Sequence, residues 1–344
     1  MNRENLAVPV RLLMAVCLVA FVIADATAQT KVGTTAAQFL GISVGPRAIA
    51  MGSAYAASNT DVTSLYWNPG AFQQAGKSEL LFSNTSWLVD TKFRWLGFML
   101  NLGDDNALGF NITQLDYGED DVTTVAQPEG TGERWSAQDI SVGLSYCRRL
   151  TDVFSMGGTV KYVEQRVWHE KATSFAFDVG LLFVTGFHGL RLGVSMTNFG
   201  SDMKMEGRDL TRQIDIDPAN SGSNKALVGD LKTDPWALPL AFRVGLGMEV
   251  YQDDMFKVTV AADALRPNDN QESVNAGAEV GWSDILFVRG GYKSVFGKNT
   301  EDGLSLGAGL HYAISGFAAL GVDYAFTEFG AFGNLNTFAL SIGF

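Results

Sequence analysis

The chain closes on Thr337-Phe338-Ala339-Leu340-Ser341-Ile342-Gly343-Phe344, where small or polar residues alternate with large apolar ones up to the last position. A period of two puts Phe338, Leu340, Ile342 and Phe344 on one face of a strand and Thr337, Ala339, Ser341 and Gly343 on the other. A surface strand of a soluble protein rarely carries four large apolar side chains at successive outward positions. A strand with hydrocarbon outside and water or a plug inside needs them. The stretch therefore predicts a membrane-crossing strand, and the fold turns on whether the chain repeats it.

From Ser78 onward it does. Period-two alternation marks about fourteen strands, near 78–88, 93–101, 106–117, 136–148, 154–168, 172–184, 189–197, 239–249, 255–265, 272–281, 285–295, 302–312, 317–326 and 336–344. Most reach the ten or so residues that a tilted strand needs to cross a bilayer. The connections sort by parity. Even-numbered gaps are short, as in Leu102-Gly103-Asp104-Asp105 and Gln252-Asp253-Asp254, while every long gap is odd-numbered, notably about 118–135 and 198–238. Alternate gaps of an up-and-down barrel lie on opposite sides of the membrane, so the sorting predicts periplasmic turns and long outer loops. A soluble sandwich has no reason to sort its loops this way. The expected fold is all-β: a transmembrane antiparallel up-and-down β-barrel, with residues 78–344 forming the barrel.

The ends and the composition agree. Leu12–Ala24 is an apolar run of thirteen residues behind Arg3 and Arg11, too short to span a bilayer, and Ala26-Thr27-Ala28 offers a small-x-small cleavage site. Residues 1–28 read as a signal peptide, which predicts export and a mature chain from Gln29. Cys17 lies inside the apolar core, leaving Cys147 alone in the mature chain, so no intrachain disulfide is expected. The net charge of −12 argues against a nucleic-acid partner.

Inward positions of the strands are polar or glycine. They include Asp139, Asp178, Asp263, Glu279 and Asp323 against Lys161, Arg191, Arg243, Lys257 and Arg289. Confined charges need partners, so these ten predict ion pairs in the lumen, bracing the sheet and a plug or else lining a polar path. The many inward glycines leave room for something inside.

That something is the segment 29–77, which is rich in small residues and lacks strict alternation. It holds Gly45-Pro46-Arg47-Ala48-Ile49-Ala50-Met51-Gly52-Ser53-Ala54-Tyr55, then Asp61-Val62-Thr63-Ser64-Leu65-Tyr66-Trp67-Asn68-Pro69-Gly70-Ala71. This resembles the N-terminal signature of the PorV/PorQ family of outer-membrane proteins, linked to type IX secretion and related to the FadL-type fatty-acid transporters. The family pattern runs Arg-Ala-x-Ala-Met-Gly, an acidic stretch, then Tyr/Trp-Asn-Pro-Ala; here glycine stands at position 70 in place of the alanine. Thr197-Asn198-Phe199-Gly200 and Leu238-Pro239-Leu240 are also similar, which extends the resemblance over essentially the whole mature chain. The terminal phenylalanine resembles the closing signal of bacterial outer-membrane barrels. The resemblance implies fourteen strands and an N-terminal hatch folded into the lumen. Gly45, Gly52 and Gly70 permit tight turns, Pro46 and Pro69 fix local geometry, and Arg47 can meet an inward carboxylate. Gly45, Arg47, Met51, Gly52, Asn68 and Pro69 are thus expected to hold the hatch, with gating as the alternative role.

Enzyme and metal readings fare poorly. His169, His188 and His311 have no nucleophile at a telling distance in sequence. Glu119-Asp120-Asp121 and Asp215-Ile216-Asp217 lack the glycine and distal glutamate of a calcium loop, and read as solvated loops. No cofactor is expected. Two functions remain. Within the resemblance, the barrel assists type IX secretion or surface attachment by binding exported proteins or secretion components, with Trp135 and Trp236 as outer-loop anchors or interface-belt residues. Alternatively it carries a hydrophobic small molecule, as FadL-type transporters do, past a pocket near Phe39, Leu40 and Phe72. Both place it in the bacterial outer membrane, among lipid.

Overall fold

A computed structural model describes residues 32–58, 61–217, 219, 227–297, 300, 302–314 and 318–344. The signal-peptide expectation therefore lies outside the described residues.

Seven strands lead from the periplasmic end to the longest loop: β1 (Glu79–Ser86), β2 (Lys92–Asn101), β3 (Asn106–Asp121), β4 (Arg134–Thr151), β5 (Phe154–Val167), β6 (Glu170–Val184) and β7 (Arg191–Gly200). The loop carries three short strands, β8 (Met205–Gly207), β9 (Thr211–Ile214) and β10 (Leu227–Asp230). Seven more complete the wall: β11 (Ala241–Gln252), β12 (Phe256–Pro267), β13 (Ser273–Trp282), β14 (Leu286–Tyr292), β15 (Asp302–Ile314), β16 (Ala318–Phe329) and β17 (Asn334–Gly343). Each wall strand pairs antiparallel with its neighbours in sequence, β7 pairs with β11 across the loop, and β1 pairs with β17. The result is a closed cylinder of fourteen strands. Closure removes the edges that hydrocarbon would leave unbonded.

The closing stretch behaves as its period demands. Phe338 and Leu340 are 57% and 61% exposed, while Thr337 and Ala339 between them are 2% and 3% exposed. The same outward apolar row continues through Leu304, Leu306 and Leu310 on β15, Phe175, Phe177 and Val179 on β6, and Phe242 and Leu246 on β11. An exterior of this kind is solvated by acyl chains. Phe344 is tied in at the seam, where its backbone and that of Ser78 exchange hydrogen bonds of 2.9 and 3.1 Å.

Loop parity holds with one refinement. The strands on either side of the fifth gap run on past the lipid-facing rows, leaving only Trp168 and His169 as the turn. The ladder between β6 and β7 is interrupted. Its register shifts between Phe177 and Val179, and Asn198 opposite takes a left-handed backbone with φ of 63°. Side chains replace the missing rungs: Asp178 accepts the Asn198 backbone N–H at 2.8 Å, and Lys161 bridges Asp178 at 2.6 Å and the Asn198 side chain at 2.9 Å. Asparagine tolerates this backbone better than most residues.

Candidate functional site

The segment before β1 lacks a long element because nothing in it sustains a period. It forms single turns, Gln38–Gly41, Pro46–Ala50, Ser64–Trp67 and Phe72–Ala75, linked by glycine and asparagine corners. Gly45 enters the second turn with φ of 81°, just ahead of a proline that presets the first helical residue.

These turns lie inside the cylinder. Met51 and Gly52 press their backbones on Gly277 of β13 and Gly291 of β14; Ala50 meets Gly307 of β15. On the other side Pro69 lies on Gly157 of β5, Asn68 and Gly70 on Gly180 of β6, and Ala56 on Gly193 of β7. A segment touching the inward face of strands all round the ring can only be in the lumen. The inward glycines are its seat, since a Cβ at Gly277 would stand 2.6 Å from the Met51 carbonyl carbon.

The segment also has a direction. Thr35 bridges to Ala237 in the longest loop, and its hydroxyl donates to Asp269 in the β12–β13 loop at 2.7 Å. Further on, the Gln73 amide donates to the carbonyl of Asp104 in a periplasmic turn. The chain thus passes through the barrel from the outer mouth to the periplasmic end, where β1 begins.

The wall grips it by hydrogen bonds and charge. Asp263 of β12 accepts the backbone N–H groups of Tyr55 and Ala56, both at 2.8 Å. Asn68 donates its amide to the Ala56 carbonyl at 2.8 Å and to the Leu181 carbonyl at 3.0 Å, and accepts the Gly70 N–H at 2.9 Å. Arg243 of β11 lies 4.8 Å over the ring of Trp67, a cation–π contact. Arg47 grips Glu279 of β13 with two bonds, 2.8 and 2.6 Å, and reaches Asp61 at 3.4 Å. Glu279 also takes Arg289 of β14 at 2.6 Å; Arg289 takes Asp323 of β16 at 2.5 Å, and Asp323 meets His311 of β15 at 3.0 Å. One relay of alternating charges, ending on the His311 imidazole, thus ties the segment to four strands.

The other charges expected in the lumen divide. Lys161 and Asp178 patch the β6–β7 ladder as described. Arg191 at 3.0 Å and Lys257 at 3.2 Å both pair with Glu249, a carboxylate outside the ten. Asp139 accepts hydrogen bonds from the Tyr117 hydroxyl at 2.9 Å and the Gln165 amide at 3.0 Å, in place of the ion pair expected of it. Asp263 likewise spends one oxygen on backbone N–H groups. Short uncharged contacts that sequence reading missed, such as Ser195 Oγ to the Trp67 carbonyl at 3.0 Å and the Ala37 N–H to Gln165 at 2.8 Å, join residues 128 apart with no local signal.

The two halves of the lumen differ. Towards the outside, Phe39 and Leu40 of the segment share an apolar cluster with Phe93, Leu115 and Val163 of the wall and Met203 and Leu238 of the long loop, and the cluster continues along one side to Leu65, Phe72, Ala107 and Cys147 nearer the periplasm. Towards the periplasm lies a cavity of about 170 Å³ whose lining includes Arg47, Glu79, Lys257, Glu279, His311 and Asp323. His169 sits on the outer rim with Asp209 at 2.7 Å, and His188 lies in a periplasmic turn. Trp135 stands on β4 opposite Asp120, and Trp236 exchanges two 2.8 Å backbone bonds with Met203 in the longest loop; both indoles are partly exposed.

A family model described as type IX secretion system protein PorV matches residues 25–210, more than half of the chain, ending in the longest loop. No curated protein matches the sequence. Among solved structures, the CymD monoaromatic hydrocarbon channel is similar over 87% of this chain and 96% of its own, with TM-score 0.55 and 15% identity. The Ralstonia pickettii toluene transporter TbuX has TM-score 0.52 and 12% identity, covering 87% and 97%. The Pseudomonas putida toluene transporter TodX gives the same four figures. At such identities the likeness is one of fold, and family and fold together point to a secretion or transport barrel rather than an enzyme. The chain belongs to the family of type IX secretion system protein PorV, and its fold is that of an outer-membrane barrel.

Proposed function

We propose that this barrel assists type IX secretion by binding exported proteins at its outer face, while the N-terminal segment holds the lumen shut. The observation that carries this reading is the apolar packing of segment, wall and long loop in the outer half of the lumen. Side chains that fill the passage leave the outer loops as the surface on which a partner can act. The division into a leader (1–28), a hatch (29–77) and a barrel (78–344) is part of the proposal, with Gly45, Arg47, Met51, Gly52, Asn68 and Pro69 as holding residues of the hatch.

The test is capture of cargo. Tagged barrel extracted from envelopes in detergent should bring down proteins bearing a type IX export domain, and trimming 201–238 should weaken the capture. A deletion strain that secretes normally but no longer takes up fatty acids or aromatics would falsify the reading.

That outcome would favour a second reading, a transporter of hydrophobic small molecules. Its support is the fold shared with hydrocarbon channels and the apolar flank of the hatch at Phe39 and Leu40. Against it stands the charged lining of the 170 Å³ cavity, which would have to lose water to admit a hydrocarbon.

A further inference from the structure

The longest loop carries a two-stranded arm. It leaves the wall at β8, which pairs with Glu170, Lys171 and Ala172 at the outer end of β6. Outward positions of β6 have already turned polar there, at Thr173 and Lys171 after Phe175, so the arm stands above the lipid-facing rows. Beyond β8 the chain forms β9 and returns as β10, pairing Ile214 with Leu227, Gln213 with Val228, Arg212 with Gly229 and Thr211 with Asp230. A ribbon of two strands is marginal in water and needs a third strand or a packed face. Among the described residues this sheet has no third strand. Its apolar side chains are also uncovered: Ile214 and Leu227 are 40% and 44% exposed, Val228 and Leu231 70% and 50%.

The ladder decides which backbone groups are left over. The Leu231 N–H donates to the Leu210 carbonyl at 2.9 Å, which makes Arg212–Gly229 and Ile214–Leu227 the hydrogen-bonded pairs. The N–H and C=O groups of Val228 and Asp230 therefore point away from β9, along the free edge of β10. Nearer the wall, the return chain keeps the outgoing chain on one edge, where Trp236 and Met203 exchange two 2.8 Å bonds. Its other edge already takes an extended segment. Thr35 bridges Ala237 in parallel, and the Ala36 N–H donates to the Ala237 carbonyl at 2.9 Å. Gly33, in a turn with φ of 75°, limits that pairing to the base. Higher up, at Val228 and Asp230, the same edge has no strand on it among the described residues. Backbone donors and acceptors at strand spacing, flanked by exposed apolar side chains, match another strand; an acyl chain or a hydrocarbon has nothing to offer them.

We propose that the free edge of β10 receives an extended segment of an exported polypeptide as a third strand, hydrogen-bonded to the backbone of Val228 and Asp230, with apolar side chains of that segment laid beside Leu227, Val228 and Leu231. The inference rests on the secretion reading for the origin of the segment; its pairing chemistry does not. Recognition through the main chain suits a partner that must be held in many sequences, and the apolar alternation of the incoming strand supplies what selectivity there is.

The test uses the purified full barrel in detergent and fluorescence anisotropy of a fluorescein-labelled decapeptide, valine alternating with threonine between terminal lysines. A counterpart methylated on every backbone nitrogen keeps the side chains and loses the donors. The unmethylated peptide should bind roughly tenfold or more tightly. Val228→Pro removes an edge donor without touching a ladder bond of the arm and should cost about fivefold or more, while Gln213→Pro, the matching change on the opposite edge, should cost less than about twofold. Should Val228→Pro disrupt the arm, the two peptides on the unaltered barrel still decide. Equal binding of the methylated peptide, a loss confined to Gln213→Pro, or sedimentation showing two barrels paired arm to arm in place of the peptide overturns the proposal. Loss of peptide binding in Val228→Pro with cargo capture intact sinks the edge alone; cargo capture failing in the unaltered barrel while the peptide binds sinks the secretion reading.

Discussion

Glu279 is the shared partner of Arg47 and Arg289, and this makes the two ends of the Arg47–Glu279 bridge unequal. Replacing Arg47 with alanine removes two hydrogen bonds from Glu279 but leaves Arg289 on it at 2.6 Å. Asp61 keeps the Tyr55 hydroxyl and the Thr63 backbone N–H. Replacing Glu279 with alanine strips both guanidiniums of their common carboxylate, in a place where Arg289 is 2% exposed. Arg289 keeps Asp323 and Arg47 keeps Asp61, so the asymmetry lies in the number of buried bridges lost: Glu279→Ala breaks two at once, at about 3–5 kcal/mol, whereas Arg47→Ala removes charge-assisted bonds from a carboxylate that stays satisfied, worth about 1.5–3. Cys147 reports the difference. It is fully buried, packed in the cluster that includes Phe72 of the segment, and is the only cysteine outside residues 1–28. Maleimide labelling of the folded barrel should therefore track opening of the seal. At about 1.4 kcal/mol per tenfold, Glu279→Ala should speed labelling by about two to three and a half orders of magnitude and Arg47→Ala by about one to two. Labelling that is indifferent to both changes, or faster in Arg47→Ala, would refute the view that the relay holds the segment shut.

Other expectations follow from the same contacts. Gly277→Ala places a methyl against the backbone of Met51 and should destabilise the barrel by about 1–3 kcal/mol in urea titration, whereas Gly186→Ala in an open turn should stay within about 0.5. Asp263→Ala orphans two buried N–H groups, so hydrogen exchange at Tyr55 and Ala56 should lose protection by an amount worth about 2–4 kcal/mol. Lys161→Met leaves Asp178 buried without its cation and should unfold more readily than the double variant Lys161→Met/Asp178→Leu, as a double-mutant cycle would reveal. Leu340→Arg, on the lipid face of β17, should cost about 2–4 kcal/mol in liposomes.

The wall was legible because lipid outside and polar contents inside write the same two-residue period into every strand. Phe338 against Ala339, repeated fourteen times with loops sorted by parity, specifies a closed cylinder without knowledge of any contact. The route of the segment was not legible. Its turns are four or five residues long and obey no period, and the bonds that place it join residues far apart, as Arg47 and Glu279 do across 232 positions. Parity could name the inward charges but could not match them. It set Asp139 and Asp263 among the ion pairs, although the hydrogen bonds each makes, through one oxygen, go to a tyrosine and a glutamine in the first and to backbone N–H groups in the second. It passed over Asp61 and His311 as members of the relay, because the first lies in a turn and the second is one of three histidines with no distinguishing neighbours.

Because the described N-terminal segment starts at the outer mouth and runs down the bore to the periplasmic end, the cylinder is a ring drawn shut on its own thread. Such a ring cannot be filled afterwards by pushing a folded plug through a mouth that the plug's own contacts occupy. A wall that curls around the segment while the seam between β1 and β17 is still unzipped avoids that obstacle, and the eight matched positions from Glu79 opposite Gly343 to Ser86 opposite Asn336 would on that route be the last to meet. On that route, maturation of the barrel and sealing of its bore are a single event.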